Sequence, residues 1–185
     1  MKDSFKDVSI SSSAPKTGEM FLQELEDARR EKILQFHEIH RAEIESSWGS
    51  KSKHQAWPGG YMDHLTETFR MVETMYEGLS KLHPLPFSRD SAIIVLYYHD
   101  VEKIWKYTVG LPKDFDKGTF LFETLATDYK IKFSPAEVNA LRYIHGEPEA
   151  EYNPDTRLMG PLAAFCHSID TMSARMWHHE GQGLG

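Results

Sequence analysis

Apolar residues recur every three or four positions along most of this 185-residue chain, which is the spacing of amphipathic helices. The most regular stripe is formed by Met62, Leu65, Phe69, Val72, Tyr76 and Leu79. Comparable spacing predicts helices over residues 19–46, 61–82, 89–105, 120–128, 134–145 and 161–177. Because no segment alternates with the period of two that marks a strand, the sequence predicts an all-α bundle of about five to seven helices.

Several helix ends carry local signals. Ser88 is placed to cap the third helix by accepting a hydrogen bond from its first turn. The segment from Ser134 to Glu137 combines a capping serine, a proline in the first turn and a glutamate that can bond back, so it predicts a capping box. Gly146 is placed to end the helix that begins at Ser134.

The composition is that of one globular domain. We predict a single domain over residues 19–180, a mobile Ser- and Lys-rich arm over residues 1–18 and a frayed tail over residues 181–185.

The formal net charge of -7 disfavours binding of extended nucleic acid, which requires neutralisation of many phosphates. The single cysteine, Cys166, excludes an internal disulfide and suits a reducing, cytoplasmic environment. No apolar run is long enough to span a bilayer, and no signal-peptide pattern is present.

The most informative chemical feature is the pair His99-Asp100, which ends an apolar run over residues 92–97. A buried carboxylate needs a counter-charge, and a divalent metal ion accepts both imidazole nitrogen and carboxylate oxygen. The alternative is that the pair meets water at a helix end. The pair alone does not decide between a metal site and a solvated helix end.

Other polar residues favour the metal site. His64 follows Gly59-Gly60, a pair that lets the backbone approach closely. His145 precedes Gly146, and Asp170 lies beside the apolar face of the last helix.

The order of these motifs resembles the HD superfamily of metal-dependent phosphohydrolases, over about residues 51–176. The stretches 59–64 and 168–176 are similar to one branch, in which HD domains are fused to an OB-fold and act as 3′→5′ exoribonucleases. The resemblance implies an HD-domain helical bundle that hydrolyses a phosphate ester with a metal-activated water. It also implies one divalent ion (Mn, Fe, Co, Ni, Zn or Mg), with a second ion allowed, and the ligands would be His64, His99, Asp100 and Asp170.

Catalytic roles follow from the same resemblance. Asp100 would hold metal and orient the attacking water, and His145 would face phosphate or act as general acid. Family members often show His-Asp-x-Gly-Lys, whereas Glu102 replaces the glycine here, so Lys103 is either a phosphate ligand or a solvated lysine. Ile144 replaces the first histidine of a His-His-Gly motif, which weakens the case for a second metal.

Four further histidines have two interpretations each. His54 precedes the glycine pair and either faces the substrate or lies in solvent, and His167 is expected to support the ligands rather than bind metal. His37 and His40 are one turn apart, a spacing that can bind metal, but the pattern favours an exposed polar face.

Three functions are compatible with the sequence. The preferred one is a phosphohydrolase for a small phosphorylated substrate, a nucleotide in the first instance, because the chain is acidic. The alternatives are a 3′→5′ exonuclease or phosphodiesterase acting on nucleic acid, and a non-catalytic metal-binding module. A homo-oligomer is allowed, because the stripe of the second helix can serve either the core or an interface.

Overall fold

The computed structural model describes residues 15–148, 153 and 155–177. Within these residues the regular structure is helical, and the only β pairing is an isolated bridge between Asn153 and Thr156. The prediction of an all-α fold is confirmed. Most of the predicted arm (residues 1–14) and the whole of the predicted tail lie outside the described residues.

The helices are α1 (Gly18–Gln23), α2 (Arg30–Ile39), α3 (Arg41–Ser46), α4 (Gly60–Ser80), α5 (Arg89–Tyr98), α6 (Lys103–Lys106), α7 (Lys117–Thr119), α8 (Leu125–Thr127), α9 (Pro135–Tyr143) and α10 (Pro161–Met176). A π-helical turn, Phe120–Thr124, joins α7 to α8. Among the described residues there are therefore more and shorter segments than the five to seven helices predicted.

The first predicted helix, over residues 19–46, is divided into α1, α2 and α3. After α1, the carboxylate of Asp90 accepts hydrogen bonds from the backbone N–H groups of Glu26 and Asp27, at 2.7 and 3.1 Å. Arg29 then pairs with Asp27 at 2.7 Å and with Glu137 at 2.7 Å. These side-chain partners replace the helical ladder, so the prediction of one continuous helix is wrong.

The third predicted helix begins as expected and ends early. Ser88 accepts a hydrogen bond from the N–H of Ser91 at 3.0 Å, which confirms the predicted cap. The α-helix stops at Tyr98, and the following turn is tightened, because the N–H of Lys103 donates to Asp100 O at 3.0 Å. The predicted helix over 89–105 therefore contains a break at the His-Asp pair.

Other predicted elements are confirmed. The second helix ends before His83, and the last helix ends one residue before Trp177. The capping box at the start of α9 is complete, because Ser134 and Glu137 each accept a hydrogen bond from the other's backbone N–H. No helix among the described residues is long and apolar enough to cross a membrane.

The core forms where α4, α5, α9 and α10 pack against one another. Helix α5 lies at its centre, since every residue from Ala92 to Tyr98 is buried. The C-terminal end of this buried helix lies next to α4 and α10, so polar residues placed there are held among apolar neighbours. That position is where His99 and Asp100 occur.

Candidate metal centre

Three elements bring the four predicted ligands together. His64 lies on the second turn of α4, His99 and Asp100 follow α5, and Asp170 lies in the middle of α10. The side chains of His64 and His99 are fully buried, whereas those of Asp100 and Asp170 are 11% and 15% exposed. The cluster is therefore walled by the core on one side and open to solvent only through its carboxylates.

The distances within the cluster suit a shared ion. Asp170 Oδ1 lies 3.2 Å from His64 Nε2 and 3.3 Å from His99 Nε2. His99 Nε2 also lies 3.3 Å from Asp100 Oδ2, and His145 Nε2 lies 3.5 Å from Asp100 Oδ1. Two overlapping groups result, one of His64, His99 and Asp170 and one of His99, Asp100 and His145, and either could hold a metal ion.

The two buried imidazoles are oriented through their Nδ1 atoms. His99 Nδ1 donates to Leu96 O at 2.6 Å, and His64 Nδ1 lies 3.1 Å from the hydroxyl of Ser173. Both Nε2 atoms are buried and make no well-directed hydrogen bond to any described residue. Buried polar atoms rarely stay without a partner, and a divalent ion would satisfy both nitrogens at once, so these residues fit a metal.

The charges of the cluster compensate one another. Burial lowers the pKa of His99, but the negative charges of Asp100 and Asp170 outweigh it and raise that pKa to about 10. Burial favours a higher pKa for both carboxyls, yet the positive charge of His99 beside them holds their pKa well below the usual range. Burial lowers the pKa of His64 to about 4. Among the four predicted ligands there are therefore two carboxylates and one positive charge, that of His99, and a divalent cation can take the place of this charge by displacing a proton.

Two lysines stand at the open side of the cluster. Lys103 Nζ lies 2.6 Å from Asp100 Oδ2, and the Lys103 side chain is only 12% exposed. Lys103 is thus not a solvated lysine, and its contact with phosphate stays a prediction. Lys117 Nζ lies 3.4 Å from Asp100 Oδ1 and 3.2 Å from Glu102 Oε1. Glu102, which departs from the family motif, therefore has a counter-charge of its own.

His145 lies at the rim, on the turn that follows α9, and its side chain is 55% exposed. The turn closes at Gly146, whose φ of 103° is a left-handed conformation that glycine adopts without strain. His167 on α10 donates from Nδ1 to Ile144 O at 2.6 Å. This bond holds the turn that presents His145, which agrees with the supporting role expected for His167.

His54 also lies beside the centre. Its ring centroid is 5.1 Å from that of His64, the residue is half-buried, and its Nδ1 lies 2.8 Å from Gln55 Oε1. The interpretation of His54 as a loop histidine in solvent is wrong for this reason. Whether it contacts a substrate stays a prediction.

The exposed polar face expected for His37 and His40 is wrong. His37 is 3% exposed and its Nδ1 lies 3.0 Å from the hydroxyl of Tyr97. His40 is partly buried, and its Nε2 lies 2.9 Å from the hydroxyl of Tyr129. Each imidazole is paired with a tyrosine that the helical pattern alone does not place opposite it.

Sequence reasoning missed two residues of the centre. Ser173 is three positions after Asp170, so the spacing on α10 was a signal that its hydroxyl shares the same face. Lys117 had no such signal, because it lies on a short helix whose position depends on distant packing.

No family model, no curated protein and no solved structure matches this chain. The resemblance to the HD superfamily thus rests on the order of the sequence motifs alone.

Proposed function

We propose that this protein is a metal-dependent phosphohydrolase with an HD-type helical bundle, acting on a small phosphorylated substrate such as a nucleotide. The observation that carries the proposal is the pair of buried imidazole nitrogens, on His64 and His99, that face one carboxylate oxygen of Asp170. A buried nitrogen without a well-directed hydrogen bond is costly, and two aimed at one carboxylate oxygen are the arrangement that a divalent cation would stabilise.

Four residues would hold the ion: His64, His99, Asp100 and Asp170. When bound, a divalent ion supplies Lewis acidity and makes water a nucleophile near neutral pH. Asp100 is suited to orient the attacking water, because its carboxylate reaches both the ligand cluster and the open side of the site.

Phosphoryl oxygens carry negative charge, and the open side of the site offers cations to meet it. The ammonium groups of Lys103 and Lys117 both approach Asp100, at 2.6 and 3.4 Å. A phosphate that binds there would share these cations with the carboxylate and gain charge stabilisation. Because Lys117 pairs with Glu102, the negative charge that departs from the family motif is offset.

The leaving group needs a proton, and His145 is placed to give one. Its Nε2 lies 3.5 Å from Asp100 Oδ1, and more than half of its side chain is exposed. A histidine at the mouth of the site can carry a proton on Nε2 and pass it to the leaving oxygen. The exposed position also lets the ring exchange that proton with solvent after each turnover.

A small substrate is favoured over a polymer because the chain carries a formal net charge of -7. The second candidate is a 3′→5′ exonuclease or phosphodiesterase, and the motif stretches 59–64 and 168–176, which resemble that branch, favour it. A monoesterase releases inorganic phosphate from mononucleotides and leaves a labelled oligonucleotide intact. An exonuclease shortens the oligonucleotide.

The test is phosphate release from a panel of mononucleotides with added Mn²⁺, next to a labelled oligonucleotide. We expect release with the wild type and a loss of at least about 100-fold with Asp100→Asn, in keeping with the loss of a water-orienting group. Glu77→Gln, which removes an exposed carboxylate paired with Lys81, is the control and should keep wild-type activity. A wild type that binds metal and cleaves neither class of substrate would leave the non-catalytic module as the better explanation.

A further inference from the structure

The loop that precedes α4 is built around one residue, Gln55. Its side chain is buried, and its φ of 41° is an uncommon left-handed conformation for a residue other than glycine. Its carbonyl oxygen accepts hydrogen bonds from the N–H groups of Gly49 and Trp57, both at 3.0 Å. A Cβ at Gly60 would lie 2.0 Å from that oxygen, so the glycine is required for the loop to close. A conformation that so many contacts enforce points to a function for the side chain it places.

The buried amide of Gln55 joins two other side chains. Its Nε2 donates to Glu67 Oε2 at 2.5 Å, and its Oε1 lies 2.8 Å from His54 Nδ1. The hydroxyl of Ser50 also donates to the backbone oxygen of His54 at 2.7 Å, so the histidine is held at both ends. The result is a chain of hydrogen bonds from α4 through Gln55 to a ring that lies 5.1 Å from that of His64.

The chemistry of the three groups fixes the direction of these bonds. An ionised carboxylate only accepts, so Glu67 requires the NH₂ end of the amide. The carbonyl end of Gln55 then faces His54, and a carbonyl also only accepts. His54 must therefore carry a proton on Nδ1, and in the neutral ring Nε2 is left as an acceptor.

We propose that Glu67 and Gln55 are positioning residues that set the tautomer of His54, so that its Nε2 accepts a hydrogen bond from a water or a substrate hydroxyl at the metal centre. The use of Nε2 on a substrate rests on the proposed function, whereas the tautomer does not. The site then contains three imidazoles, those of His99, His64 and His54. Their Nδ1 atoms are hydrogen-bonded to Leu96, Ser173 and Gln55 respectively, which leaves their Nε2 atoms available to the metal or the substrate.

The tautomer can be measured directly on the metal-free protein. Two-bond ¹H–¹⁵N correlation spectra of ¹⁵N-histidine-labelled protein show which ring nitrogen carries the proton, and His54→Asn identifies the signals of His54. We expect the Nδ1–H form in the wild type. In Glu67→Gln the new amide can donate as well as accept, so residue 67 no longer requires the NH₂ end of Gln55, and the Nε2–H form of His54 should appear.

Exchanging the residues at positions 55 and 67 tests whether the direction of the hydrogen bonds, rather than a general disturbance of the loop, sets the tautomer of His54. Gln55→Glu combined with Glu67→Gln keeps one carboxylate and one amide, and the carboxylate now accepts from both His54 and the new amide. We expect this double variant to restore the Nδ1–H form. Glu73→Gln, which removes an exposed carboxylate of α4 that pairs with Lys16, is the matched control and should leave His54 unchanged.

The outcomes are distinct. An Nε2–H form in the wild type, or an unchanged Nδ1–H form in Glu67→Gln, overturns the proposal. If Glu67→Gln does not fold, Gln55→Met removes the acceptor and should give the same loss of the Nδ1–H form, so an unchanged form in that variant also overturns it. Phosphate release should fall about 10-fold or more in Glu67→Gln and recover in the double variant, as for other partners of site histidines. A wild type that releases no phosphate refutes the proposed function, while the spectra still decide the tautomer.

Discussion

Replacing Asp170 by asparagine tests whether the buried cluster binds a divalent ion. The Oδ1 atom of Asp170 lies 3.2 Å from His64 Nε2 and 3.3 Å from His99 Nε2, so both imidazoles share it. Asparagine keeps the size of the side chain and removes its negative charge. We expect the affinity for Mn²⁺ to fall at least about 100-fold, the upper end of the losses seen when only an outer partner is changed.

The expected effect on stability follows from mass action. An ion that binds only the folded state, at 100 times its Kd, stabilises that state by about 2.7 kcal/mol. In a protein of this size, each kcal/mol shifts Tm by roughly 2–4 °C, so the wild type should gain roughly 5–11 °C. At the same ion concentration Asp170→Asn would stand near its own Kd and gain only about 0.4 kcal/mol, or about 1–2 °C.

The assay is differential scanning calorimetry of chelator-treated protein, with and without Mn²⁺. The quantity compared is the metal-induced change in Tm within each variant, so any effect of the substitution on the metal-free protein cancels. Glu77→Gln should keep the wild-type shift, because the Glu77 carboxylate is exposed and, among the described residues, pairs with Lys81. An Asp170→Asn protein with an unreduced shift would refute the assignment of Asp170 to the ion.

Three further predictions concern the rim, the loop and the fold. His145→Asn should lower phosphate release by roughly 10²–10⁴-fold with metal affinity retained, and a loss of affinity in titration calorimetry would instead make His145 a ligand. Gly60→Ala should destabilise the fold by roughly 1–3 kcal/mol or more, since its Cβ would meet Gln55 O, and an unchanged urea midpoint would contradict this contact. Burial raises the pKa of Glu137, but hydrogen bonds from Arg29 outweigh this effect and lower that pKa. The ionised Glu137 therefore stabilises the folded state above the unfolded pKa of about 4.3, and this stabilisation is lost as the pH falls through the folded pKa. Glu137→Gln should therefore cost roughly 3 kcal/mol at pH 7 and less at pH 3, and urea midpoints that differ equally at both pH values would rule this out.

Sequence signals that act over a few residues predicted the fold well. The capping box of Ser134 and Glu137 and the cap at Ser88 involve groups three positions apart, so their partners can be read from the sequence. The apolar stripe of α4 likewise faces the core as its period requires, with Leu65, Phe69 and Val72 fully buried.

Features that depend on distant partners could not be predicted. The break after α1 is made by Asp90, which is more than sixty residues away from the backbone groups it binds. His37 and His40 are buried because Tyr97 and Tyr129 offer hydroxyls from elsewhere in the fold.

The ligand cluster shows both cases. The motif order singled out His64, His99, Asp100 and Asp170, and the structure places Asp170 beside both histidines and Asp100 beside His99. The second cation, Lys117, follows a loop whose path is set by tertiary packing, so its position beside Asp100 could not be predicted from nearby residues.

The most direct measurement is the metal content of the purified protein, by elemental mass spectrometry, for the wild type and for His99→Ala. His99 belongs to both candidate ligand groups, so its loss should empty either one. We expect one divalent ion per chain in the wild type after incubation with Mn²⁺ and desalting, and almost none in His99→Ala. Equal metal content in the two proteins, or no retained metal in the wild type with any divalent ion offered, would contradict the metal centre.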